Sequence, residues 1–91
     1  MFNNAMMKQA KKMQEKMKEA QEEIAKMETE GSSGGISIKM VGGKTIEEVT
    51  VSEKIFEQKD KSLLEKFIKD AVNDATNKAD KAAQKKMKKV T

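Results

Sequence analysis

Lys8, Lys11, Lys12, Lys16 and Lys18 crowd together near the start of this chain with only Glu15 among them, and Lys78, Lys81, Lys85, Lys86, Lys88 and Lys89 crowd together from position 78 onward with only Asp80. Side chains of this type at this density do one kind of chemistry well. An ammonium group on a flexible stem is a compact point charge for phosphate. All 19 positive charges are lysine, so bidentate reading of guanine edges, which is mainly arginine work, is not expected. These eleven lysines are the candidate DNA-binding residues, and the expected mode is contact with the phosphate backbone at low sequence specificity. Lys16 lies beside an apolar seam, where flanking a helix interface is its alternative role.

Other chemistry is poorly supplied. Histidine, cysteine and tyrosine are absent, which removes the usual nucleophiles, bases and proton donors. The carboxylate pairs Glu22 with Glu23 and Glu47 with Glu48 have polar neighbours that would not raise a pKa, and they read as solvated surface charge. No enzyme, metal site, cofactor or small-molecule substrate is expected. No apolar run approaches the roughly 20 residues that span a bilayer. The protein is therefore expected in the cytoplasm, with no membrane partner.

Elements of helical period must position the lysines. Met6, Ala10, Met13, Met17, Ala20, Ile24 and Met27 form a heptad seam, which predicts a helix over about residues 3–27, from Asn3 to Met27. Along it the charge runs from basic to acidic, because residues 19–30 hold five glutamates against Lys26. That order opposes the macrodipole, at about 0.3–1 kcal/mol per charge, and suggests an anionic partner at the helix start. The methionine seam is expected to pack on the second helix or on another subunit. Leu64, Phe67, Ile68, Ala71, Val72, Ala75, Ala79, Ala82, Ala83, Met87 and Val90 predict a second helix over about residues 60–89. Asp60 or Ser62 would cap it. Its bulky first half would cover a sheet, and its alanines from Ala75 onward would allow close helix–helix approach.

Between the helices, residues 28–51 carry strand signals. Gly31 to Gly35 reads as a mobile connection, Ile36, Ile38 and Met40 alternate with polar residues, and Gly42-Gly43 supplies a tight turn. Ile46 falls out of phase with Val49 and Val51. That predicts a bulge near Glu47 or a strand covered on both faces. A strand before the glycines is weakly signalled. The expected fold is α+β, one domain over residues 1–91 in the order α-β-β-β-α, with both lysine blocks meeting at one distal tip. With 36% apolar residues and three phenylalanines, one subunit has little to bury, so a homodimer is expected.

Met7 to Met17, Gln21 to Ala25, the glycine run before Ile36, Gly42-Gly43 and Val72-Asn73-Asp74-Ala75 together resemble the YbaB/EbfC family of bacterial nucleoid-associated proteins. The resemblance covers about residues 6–87. It implies a tweezer-like homodimer whose sheets join at the centre, binding double-stranded DNA in the nucleoid. Asn73 and Asp74 match the family pattern but are expected to fix packing. Ser52-Glu53 stands where such proteins often carry Asp-Pro, a departure expected to loosen the link to the second helix. The rival reading is a helical protein–protein interaction module with lysines that keep it soluble.

Overall fold

A computed structural model describes residues 4–90, and the expected helix start at Asn3 lies outside them. The heptad seam becomes α1 (Asn4–Lys26). Three strands follow, β1 (Glu28–Ser33), β2 (Ile36–Val41) and β3 (Thr45–Val51). A short helix α2 (Glu53–Glu57) and a long helix α3 (Lys61–Lys88) complete the chain. The molecule is a rod of 70 × 16 × 14 Å, with the sheet towards one end and the paired helices running away from it.

The sheet is antiparallel in the order β1-β2-β3. Gly31 to Gly35 is not a mobile connection. Gly31, Ser32 and Ser33 pair with Ile38, Ser37 and Ile36, which leaves a two-residue turn at Gly34 and Gly35. Both turn residues have positive φ, 53° and 93°, the geometry that matches strand twist and that glycine adopts without strain. Gly31 itself is buried under α3. A Cβ there would lie 2.2 Å from the Ala75 nitrogen and 2.5 Å from the Ala71 carbonyl oxygen, so helix and strand meet backbone to backbone.

Of the two expected causes for the out-of-phase Ile46, the bulge is the one found, and β3 is not covered on both faces. Lys39 pairs with Glu48 and Met40 with Ile46, so Glu47 is the extra residue of a bulge. Ile46 thereby joins Val49 and Val51 on the face shared with the buried Ile36, Ile38 and Met40.

The sequence did not signal α2. Ser52 caps it by accepting from the Ile55 N–H, and the Ser52 N–H donates to the Gly35 carbonyl at 2.9 Å. This replacement of Asp-Pro therefore leaves the link to α3 tied down. A serine at the cap does the work of aspartate. Asp60, not Ser62, caps α3, its carboxylate accepting from the Leu63 N–H at 3.1 Å.

Ile36, Ile38, Met40, Ile55, Ala71 and Ala75 form the core, flanked by Leu63, Leu64, Phe67 and Val72. Each isoleucine contributes on the order of 1.5–3 kcal/mol by burial. The alanine stripe serves the sheet further along than expected, since Ala75 lies on Gly31 and Ala79 on Gly43. Ile68 turns away from the core and is exposed. Small residues let α3 descend onto the glycine backbone, which larger ones would prevent.

Candidate nucleic-acid interface

α1 runs back along the outer half of α3. At its root the Gly42 N–H donates to the Met27 carbonyl oxygen at 2.8 Å, tying the β2–β3 turn to the end of the helix. Further out, Ala20 is buried and the Glu23 carboxylate meets the Lys86 ammonium at 3.5 Å. Val90, just past the end of α3, lies beside Lys12, Met13 and Lys16 of α1.

The groove at that junction encloses about 520 Å³ and is lined by Ala5, Lys8, Gln9, Lys12, Met13, Lys16 and Val90. Lys8, Lys12 and Lys16 follow one another at four-residue spacing, a rise of about 6 Å per step along one side of the helix. Lys11 lies on an adjoining surface with Met7, Ala10 and Gln14, and shares Lys8 with the groove. Lys18 is exposed on α1, as are Lys81, Lys85, Lys88 and Lys89 on and just after α3. The structure therefore brings the end of the second lysine block against the first, at the end of the rod remote from the sheet.

Lys86 and Lys78 are engaged with carboxylates of the fold itself. Lys86 braces the two helices through Glu23, with its side chain only 32% exposed. Lys78 pairs with Asp74 at 3.0 Å and donates to the Glu30 carbonyl oxygen at 3.3 Å. Asp74 also accepts from the Ser32 N–H at 3.1 Å, so these residues fasten α3 along the edge strand β1. The Ser32 bond, followed by that from Lys78, holds the Asp74 carboxyl below its ordinary pKa. Val90 is the contributor whose role was not read from sequence. Its position at the end of the apolar stripe was the available signal.

The outer face of the sheet has the opposite character. Glu28, Glu30 and Glu48 stand there against Lys39, with Glu28 3.6 Å from Lys39 and Glu30 accepting from the Ser37 hydroxyl at 3.0 Å. Such a surface repels phosphate. Among the described residues no helix is long and apolar enough to cross a membrane.

The sequence model of the YbaB/EbfC DNA-binding family matches residues 1–91, both lysine blocks included. This chain belongs to that family. A nucleoid-associated protein of Afipia carboxidovorans is 38% identical to it over 88 residues, covering 94% of this chain and 84% of the relative. The YbaB/EbfC match thus extends over the sheet, the short helix α2 and both long helices.

Proposed function

We propose that this protein binds duplex DNA as a nucleoid-associated homodimer, through lysines of the helical arm and with low sequence specificity. The observation that carries the reading is the groove in which Lys8, Lys12 and Lys16 follow one side of α1 opposite the end of α3. Exposed ammonium groups there replace condensed counterions on the phosphate chain, and the released ions drive association. The proposed contacts are Lys8, Lys11, Lys12, Lys16 and Lys18 with Lys81, Lys85, Lys88 and Lys89. Lys78 and Lys86 contribute field rather than direct contact, because their carboxylate partners hold them.

The dimer reading rests on β3. It is an edge strand, and α3 leaves its apolar face open, with Val49 52% exposed. Phe56, in the short helix α2 that follows β3 in the chain, is 72% exposed. A second copy would cover both features and remove the unpaired edge.

A gel-shift titration over salt tests the DNA mode. With four to six phosphate contacts, log affinity should fall with log salt at a slope of about −4 to −5. A flat response would remove phosphate contact from the account. Light scattering at low micromolar concentration should give twice the chain mass, and a folded monomer there would defeat the dimer.

A further inference from the structure

The two edges of the sheet are treated differently. Along a strand the backbone N–H and C=O groups of successive residues turn alternately to its two sides. Ser32 donates its N–H to the Asp74 carboxylate at 3.1 Å, and the Glu30 carbonyl oxygen accepts from the Lys78 ammonium at 3.3 Å. Glu30 and Ser32 are therefore residues of β1 whose backbone groups face away from β2, where another strand would bind. Asp74 and Lys78 stand one turn apart on α3 and reach that edge because Gly31 lets the helix settle onto β1. They also meet each other at 3.0 Å. Hydrogen bonds with an ionised partner are about twice as strong as neutral ones, so this cover is not easily displaced. Among the described residues no side chain bonds to the backbone of β3, the opposite edge.

We propose that Asp74 and Lys78 shield the β1 edge against strand pairing with a second copy of this chain, leaving β3 as the edge at which copies join. An incoming strand would need the Ser32 N–H and the Glu30 carbonyl together, and both are already taken from the chain's own helix. The consequence concerns the size of the assembly, and this part rests on the homodimer reading above. A sheet with two open edges can pair β3 with β3 and β1 with β1 in alternation, and such pairing has no natural end. With β1 shielded, association through strands stops at two chains. The pair thus does more than fasten α3 to the sheet. It separates a closed dimer from an open polymer.

The test compares the full-length parent with the variant Asp74→Ala/Lys78→Ala by sedimentation velocity over a wide range of concentration, without DNA. The parent should keep one mass, and the variant should reach about twice that mass or more as concentration rises. Adding Glu30→Pro to the variant should return it to the parent's mass. Proline there removes an N–H that faces away from β2, so it blocks the edge while sparing the ladder inside the sheet. A variant that sediments like the parent overturns the proposal. So does a larger species that survives Glu30→Pro, since it would come from loosened packing of α3 and not from strand pairing. If thermal unfolding shows that the double variant does not fold, Lys78→Ala alone frees the Glu30 carbonyl and keeps the Ser32 bond. It should grow in mass to a smaller extent, and no growth overturns the proposal equally. A folded monomeric parent would defeat the homodimer reading alone, and the shield would then show as dimerisation of the variant.

Discussion

At the sheet end of the molecule Ile36 and Ile38 are 1% exposed, and α3 lies so close to β1 that Gly31 has no space for a side chain. Along the arm the large apolar residues are half open, Met13 at 48% and Met6 at 65%, and Ala20 is the one buried residue of α1. The first region is held by dense packing around a small core. The second is held by one helix lying on another, with an ion pair between them. Stability and surface chemistry are thereby placed in different parts of the rod, so substitutions should sort by region.

The largest effect should come from Gly31→Ala. A Cβ 2.2 Å from the Ala75 nitrogen forces helix and strand apart. Overpacking of this kind costs about 3 kcal/mol or more. For a domain of this size that lowers Tm by roughly 12–24 °C. Ala10→Val on the open arm should change Tm by no more than about 3 °C, on the order of 0.5 kcal/mol. Equal losses in thermal unfolding would break the contrast between the regions.

Next come the arm lysines. Converting Lys8, Lys12 and Lys16 to glutamine should weaken DNA binding by at least about tenfold, equivalent to 1.4 kcal/mol. Lys85, Lys88 and Lys89 to glutamine should act in the same direction. Lys86 is best left in place, since removing it disturbs the brace to Glu23. Melting should hold or rise slightly in the first variant, because repulsion between Lys8 and Lys12 and the mismatch with the dipole are relieved. Lys39→Gln with Lys44→Gln, at the sheet end, should bind DNA nearly as well as the parent. If that variant alone loses affinity, DNA lies on the sheet.

The smallest effect sharpens the boundary between the regions, where Asp74 joins β1 to α3. Its folded pKa is depressed relative to the unfolded chain, so its contribution is fully present above the unfolded value. That contribution is lost as pH falls through the folded one. Between about pH 5 and pH 2 the parent should therefore lose more Tm than Asp74→Asn does. Parallel curves would show that the bond to Ser32 carries no weight.

Much of this division was legible in residue spacing. The seam from Met6 to Met27 gave α1, and the phase error at Ile46 located the bulge at Glu47. The glycine run misled because glycine and serine have little strand preference of their own. Gly31 is in a strand because β2 pairs with it and the helix requires its bareness. Neither cause is local. The α2 helix has five residues, too few to show a period, and only the Ser52 cap betrays it in retrospect. Alanines can approach strand or helix equally well, so their spacing could not reveal that Ala75 and Ala79 lie on glycines. The lysine blocks were readable as clusters, but the attachment of Lys78 to Asp74 and of Lys86 to Glu23 depends on how the helices align in space.

The anchoring of α1 at Ala20 also sets a mechanical scale. Twelve residues separate Ala20 from Lys8, about 18 Å of helix at 1.5 Å per residue. A tilt of about 10° at that pivot sweeps Lys8 through roughly 3 Å, close to the 3.4 Å rise between successive phosphates on one DNA strand. A lever of this length would convert a small change of angle into one step of the polymer it is proposed to grip. Movement on that scale needs no change at the sheet, and such tolerance of position suits the backbone-directed, low-specificity binding proposed for the arm.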